Sequence, residues 1–350
     1  MTRRTFGTSE LDLEWRSASR CTYTMRRFWI FVAVFLVASV GEASARWVRV
    51  GSGTSNALSS IHFASDQEGW IVGENVTILR SRDGGKSWPK YTQLTAEPAQ
   101  CCLAVRFVTP TIGWIGGART VTKVTSGSPY KITYNVQTEI RYDLFSASTD
   151  VAWVAGAVEQ TSGGTQRRLW RIHPGTIPSQ FTMIFIGSSG SYRSISFIDP
   201  NNGIAVGSGG LITRLTNAMS SSPGTSTQTS GTTADLYGVF MLDATNAWAV
   251  GSAGTILRYD GTRWAPQFAG TTNRLNDVSF KDANNGLIVG NAGIILSTTN
   301  GGATWTIEPS GVPDDLRGVD YGAGGAWAVG ANGTILQRVV SPPRRRAARR

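Results

Sequence analysis

Seven times along this chain a tryptophan or another large apolar residue is followed three positions later by glycine. The pairs are Trp70/Gly73, Trp114/Gly117, Trp153/Gly156, Ile204/Gly207, Trp248/Gly251, Leu287/Gly290 and Trp327/Gly330. The glycines are 44, 39, 51, 44, 39 and 40 residues apart, the period of a four-stranded propeller blade, about 40–50 residues. A second pattern, L-x-x-V-x-F in ideal form, begins twelve positions before the large residue: Leu58, Ile61, Phe63; Tyr192, Ile195, Phe197; Leu236, Val239, Met241; Leu275, Val278, Phe280. Residues two apart share one face of a strand, so the pattern marks a buried β face. Each unit therefore reads as four strands joined by hairpins, with turns such as Asp199-Pro200-Asn201-Asn202-Gly203 supplying residues that accept positive φ. The chain is predicted to be all-β, a seven-bladed β-propeller. Composition agrees: 41 glycines in 350 residues and only 16% charged residues exclude a coiled coil, a helical bundle and a disordered chain.

The remaining tryptophans decide how the ring closes. Trp88, Trp170, Trp264 and Trp305 fall near the fourth strand of a unit, whereas Trp47 precedes the first unit. The seventh unit ends at Leu336–Val340 without a fourth strand of its own, and Arg46–Val50 is placed to supply it. The last blade is thus expected to be closed by the N-terminal strand of the mature chain, which removes a sheet edge open to aggregation. The Ser/Thr-rich stretch Thr216 to Thr233 is expected to be a flexible insertion in the fourth blade and to account for the one 51-residue spacing.

Three segments are expected. Met25 precedes Arg26-Arg27, an apolar run from Phe28 to Val40, and Ala43-Ser44-Ala45; this is the plan of a cleavable secretory signal with cutting after Ala45. An uncleaved anchor and a twin-arginine signal are the alternatives, and translation starts at Met1 or Met25. Residues 46–340 form the propeller, and 341–350 form a basic disordered tail. The protein is expected to be exported, to the periplasm or outside the cell, or to a lumen in a photosynthetic host. Cys21 is lost on cleavage, and the adjacent Cys101 and Cys102 are two small strand residues, a redox pair or an intermolecular bridge.

The net charge of +10 sits mostly at the ends. Six arginines and four acids lie in 1–45 and five arginines in 344–350, which leaves 22 basic against 19 acidic residues in the body. No nucleic acid is expected on the propeller body, because a clustered basic face is missing. The tail is a cationic appendage for anionic surfaces.

Ser81-Arg82-Asp83-Gly84-Gly85-Lys86-Ser87-Trp88 matches the Asp-box S/T-x-D-x-G-x-T/S-W, and Thr298-Thr299-Asn300-Gly301-Gly302-Ala303-Thr304-Trp305 matches it with Asn for Asp. Asp260-Gly261-Thr262-Arg263-Trp264 is a shortened copy. With V-G-x-x-G-T-I-L repeated around the chain, residues 46 to 340 resemble the Ycf48/HCF136-like family of photosystem II assembly factors and their bacterial BNR-repeat relatives. That resemblance implies an exported propeller that docks membrane-protein subunits.

Catalytic signatures are mostly missing. His62 and His173 are the only histidines, no cluster has metal-ligand spacing, and no Walker loop, dinucleotide fingerprint or G-x-S-x-G elbow occurs. No cofactor, metal or catalytic residue is expected, and the protein is read as a non-enzyme. The alternatives are an Asp-box glycoside hydrolase of sialidase type, built on acids among Asp143, Asp235, Asp277, Asp314 and Asp315, and an adhesive surface propeller. Arg141, Arg193, Arg274 and Arg317 lie at, or within one residue of, the start of the inner-strand pattern in four units. Seven-fold geometry would gather them at one mouth of the channel, where guanidinium groups hold a carboxylate or an acidic peptide segment of a membrane-protein partner. The resemblance implies the same. A monomer is expected.

Overall fold

The computed structural model describes residues 45–92, 103–118, 120–125, 130–133, 139–146, 148–159, 165–173, 180–187 and 189–340. Residues 1–44 of the expected N-terminal extension and secretory signal 1–45, Cys101 and Cys102, and the expected tail 341–350 lie outside them. The described residues form seven antiparallel sheets, six of four strands and one of three. The inner strands are Leu58–Phe63, Ala104–Thr109, Glu139–Phe145, Tyr192–Asp199, Leu236–Met241, Leu275–Phe280 and Leu316–Gly322. Each packs beside the inner strand of the next blade, and the seventh packs beside the first, so the strands enclose a central channel. The seventh sheet takes its outer strand from the other end of the propeller: Ala45–Val50 pairs antiparallel with Ile335–Val340, with Trp47 opposite Arg338. Trp47 Nε1 donates to Glu308 Oε2 at 2.8 Å and Arg338 Nε donates to the same oxygen at 3.0 Å, tying this strand to the sixth blade.

The core is divided among the seven blade-to-blade interfaces, each with its own cluster of buried residues. Repetition of the sequence pattern follows from this packing. The second-strand tryptophans 70, 114, 153, 248 and 327 are 0–1% exposed. Trp70 stacks on Phe107, Trp153 on Phe197, Trp248 on Phe280 and Trp327 on Phe63, at centroid separations of 4.3, 4.8, 3.5 and 5.4 Å. The large residue of one blade thus packs against the phenylalanine that ends the inner-strand pattern of the next, and such pairs add about 0.5–1.5 kcal/mol beyond burial. Across the sheet, Arg80, Lys123, Arg171 and Arg258 lie over Trp70, Trp114, Trp153 and Trp248 at 4.6 to 5.8 Å, a cation–π contact.

The repeat glycines are there for close approach. A Cβ on Gly207, Gly251, Gly290 or Gly330 would stand 1.9–2.2 Å from the carbonyl oxygen of Ser191, Asp235, Arg274 or Asp315, the residue that leads into the inner strand of the same blade. The Asp-boxes are turns. Ser87 N and Ser87 Oγ donate to the two oxygens of Asp83 at 3.0 and 2.6 Å, while Gly85 N donates to Ser81 Oγ at 2.8 Å. Asn300 receives Thr304 N at 2.9 Å in the same way.

Two expectations are corrected. Thr216 to Thr233 is not an insertion: it holds a turn and the regular outer strand Gly224–Gln228, paired with Ile212–Thr216. The long spacing belongs to the third blade, whose outer strands Thr165–His173 and Gln180–Ile186 have 9 and 7 residues. Trp170 lies within the third strand of that blade rather than near a fourth, opposite Val154 of the second.

The candidate site: a cationic mouth above a polar channel

Side chains on the inner strands that point away from the blade interfaces face the axis, and successive positions form layers. In the outermost layer, Ser59, Leu103, Arg193, Tyr237, Asn276 and Arg317 hold one position of the repeat, by register with the neighbouring strand. They line a cavity of about 420 Å³ together with Arg274, Asn291 and Asp315. Three of the four arginines singled out in the sequence therefore meet at one mouth. The guanidinium carbons of Arg193 and Arg274 lie 4.8 and 3.7 Å from the ring centroid of Tyr237. Arg193 is also paired with Asp235 at 3.2 Å, and Arg317 with Glu74 at 2.8 Å. Arg274 is exposed, and no carboxylate among the described residues pairs with it. Arg141 pairs with Gly156, the register of Leu58 and Leu275, at the first position of the inner-strand pattern. Its side chain lies outside the described residues, as does that of His173.

The candidate acids at the strand starts do different work. Asp235 Oδ1 accepts Gly209 N and Asp315 Oδ1 accepts Ala292 N, each at 2.8 Å, so both brace turns of the preceding blade. Asp314 accepts from Asn332 and Thr334 at 2.7 Å. Asp143 and Asp277 lie deeper, in a channel cavity of about 90 Å³ that also contains Arg106 and Asp320.

Within the channel, polar side chains of one inner strand reach the next blade. Asp143 Oδ2 accepts Ile195 N at 3.0 Å, Asp277 Oδ2 accepts Val319 N at 2.9 Å, and Asp320 Oδ2 accepts Phe63 N at 2.9 Å. Ser194, Ser196 and Ser279 accept Val239 N, Met241 N and Tyr321 N at 3.0–3.2 Å. His62 Nε2 lies 2.9 Å from the Phe107 carbonyl oxygen. An inner strand has no sheet partner on its axial side, so alternate N–H groups would otherwise be left unpaired. These ties between neighbouring inner strands were not legible in the sequence, because donor and acceptor are separated by a whole blade. Burial pushes Asp277 up to about 7 and Asp320 up to about 6, and raises Asp143. Burial, with the nearby Arg106 charge, lowers His62 to about 3, so the ring is neutral. The channel acids are thus structural braces. Among the described residues no group of three His, Cys, Asp or Glu side chains has an arrangement that would hold a metal ion.

A closed ring of seven sheets, with four interfaces built on the same aromatic pair and a basic, aromatic mouth, defines a seven-bladed β-propeller of the Asp-box repeat type. Within that class the chain resembles Ycf48 over part of its length: residues 40–128 and 261–339 match the family model described as photosynthesis system II assembly factor YCF48. A curated relative, the photosystem II assembly protein Ycf48 of Synechococcus sp. (strain JA-2-3B'a(2-13)), is 32% identical over 79 residues, which is 22% of this chain and 23% of the relative. Among solved structures, YCF48 bound to D1 peptide superposes with a TM-score of 0.66 at 18% identity, covering 85% of this chain and 95% of that one. YCF48 from Cyanidioschyzon merolae gives 0.65 at 19% identity, covering 85% and 99%. The WD40 propeller domain of Doa1 reaches 0.64 at 11% identity, covering 85% and 97%. Backbone likeness therefore establishes the propeller, and the repeat sequence carries the resemblance to Ycf48.

Proposed function

We propose that the protein is an exported, non-catalytic docking factor that holds an acidic segment of a membrane-protein partner at the mouth formed by Arg193, Arg274 and Arg317, with Arg141 as a further contact. The observation that carries this reading is Arg274, an exposed guanidinium stacked on Tyr237 and left without a carboxylate partner among the described residues. An incoming carboxylate meets Arg274 first and then competes with Asp235 for Arg193 and with Glu74 for Arg317. Arginine suits this task because its planar fork gives two parallel hydrogen bonds to one carboxylate. The Ycf48-like sequence, and a peptide bound to one structural neighbour, support a partner segment of this kind. Leaving the cell interior rests on the signal-like segment Met25–Ala45. The absence of catalysis rests on the channel acids being used as braces.

The test is capture of solubilised host membrane proteins by the full chain and by two variants. Arg274→Ala should lose the captured membrane protein. Asp315→Asn, which removes a competing negative charge from the cavity wall, should hold it more tightly. Capture unaffected by either change would refute the mouth as the docking site.

A further inference from the structure

The outer rim of the first blade carries a second cavity, separate from the channel. The Asp-box hairpin between the third strand and the irregular fourth one encloses about 360 Å³, walled by Arg80, Arg82, Asp83, Ser87, Lys90 and Tyr91. The sixth blade has the same hairpin with the same bonds from backbone N–H groups, Thr304 N to Asn300 Oδ1 and Gly302 N to Thr298 Oγ1, and so serves as an internal control. Alignment of the two boxes on Ser81/Thr298 and Trp88/Trp305 sets Arg82 against Thr299, Lys86 against Ala303 and Lys90 against Ile307. One fold of the turn is thus built twice, once with three cations and once with none. Neither the turn nor the packing of Trp88 needs those charges, since Trp305 packs on Phe280 as Trp88 does on Phe63, edge to face at 5.9 and 5.6 Å.

The charges of the cavity do not cancel. Arg80 is bonded to Glu68 and lies over Trp70, so it is balanced. Asp83 stays ionised, held down to about 2 by the Ser87 and Ser81 hydrogen bonds, and its oxygens are taken up within the turn. Arg82 and Lys90 are exposed and have no carboxylate partner among the described residues. Two uncompensated cations therefore face one carboxylate, with the half-buried Tyr91 as a wall.

We propose that this rim cavity binds a phosphate-class oxyanion, held between Arg82 and Lys90. Phosphate suits two cations on separate stems better than a carboxylate does, because it brings a charge of about −1.5 to −2 and three acceptor oxygens. Arginine supplies the planar fork and lysine the point charge. The cavity lies within the range of small-ligand pockets, about 300–1,000 Å³, which leaves room for the group that the phosphate esterifies. That group is either a soluble ester or a lipid headgroup. The proposal is independent of the mouth: no residue is shared.

The experiment titrates the full chain with inorganic phosphate and with glycerol phosphate by calorimetry, and sediments it with phosphatidylcholine vesicles with or without phosphatidic acid. The double variant Arg82→Gln with Lys90→Gln is compared with wild type, and Arg274→Gln controls for the mouth. Saturable binding to the soluble anions, at least tenfold weaker in the double variant and unchanged in Arg274→Gln, is the expected result. If binding to phosphatidic acid vesicles falls in the same variant, the ester is a lipid headgroup; if only solution binding falls, it is a soluble ester. No saturable binding to the soluble anions, or equal affinity in the double variant, overturns the proposal. Vesicle binding that survives both substitutions belongs to another basic part of the chain.

Discussion

Substitution of Gly290 by alanine tests the link between the repeat glycine and the mouth. Gly290 ends the second strand of the sixth blade in extended backbone, φ −163° and ψ −165°, a conformation that alanine adopts without strain. The cost must therefore come from contact alone. A Cβ there would stand 2.2 Å from the Arg274 carbonyl oxygen and 2.8 Å from Ile294 Cγ2. A relaxed carbon–oxygen contact is about 3.3 Å, so the backbone at Arg274 has to retreat by about 1 Å. The Ile294 methyl can rotate away, but the carbonyl cannot, because Asn291 N donates to it at 2.9 Å. Overpacking of this kind costs about 1–3 kcal/mol. For a domain of this size each kcal/mol lowers Tm by about 2 °C, so a fall of roughly 2–6 °C is expected by calorimetry. The matched control is Gly51→Ala, where an added Cβ meets nothing within 4 Å and the shift should be near zero. The displaced residue is the uncompensated arginine of the mouth, so Gly290→Ala should also weaken partner capture. A Tm equal to wild type would refute the argument that close approach is what this glycine provides.

Stability should also depend on pH in a stated direction. Asp277 and Asp320 bind protons more tightly in the folded state than an ordinary aspartate near 3.8, so the stability they confer when protonated is lost as pH rises from about 4 through about 6 to 7. His62 acts oppositely, because its neutral folded form favours folding less as pH falls below 6.5. Urea midpoints measured from pH 4.5 to 8 should therefore decline overall towards pH 7; a steady rise would contradict the buried braces. Trp248→Leu removes the stacked contact with Phe280 at 3.5 Å and leaves a cavity, at a cost of about 3 kcal/mol, read as a lower urea midpoint with unchanged circular dichroism. Glu308→Ala strips the acceptor from both Trp47 and Arg338, each such charged hydrogen bond being worth about 1.5–3 kcal/mol. Limited proteolysis of this variant should cut first near the closing strand, and an unchanged digestion pattern would argue against that tie.

The two proposed sites differ in how far they could be read without coordinates. Arg193, Arg274 and Arg317 were found because the repeat fixes where an inner strand begins, and residues at equivalent repeat positions must gather around one axis. Tyr237 was missed as the common stacking partner of Arg193 and Arg274, although it holds the position of Arg193 one blade later, because an aromatic there reads equally well as core. The cationic Asp-box was quoted residue by residue as a turn, but the contrast with its copy in the sixth blade acquires meaning only when both hairpins are seen to make the same bonds.

What the sequence determined by itself is the number of units, their four-stranded plan and the aromatic and glycine positions that make the interfaces. These depend on contacts repeated at a constant offset, and a constant offset is visible in one dimension. What only the tertiary structure decided is how each blade is fastened to the next through the channel, which mouth arginines are already paired, and where charge is left over. These depend on partners a full blade or more apart, such as Arg317 with Glu74 across the closure of the ring. No local pattern records whether a charge has been met.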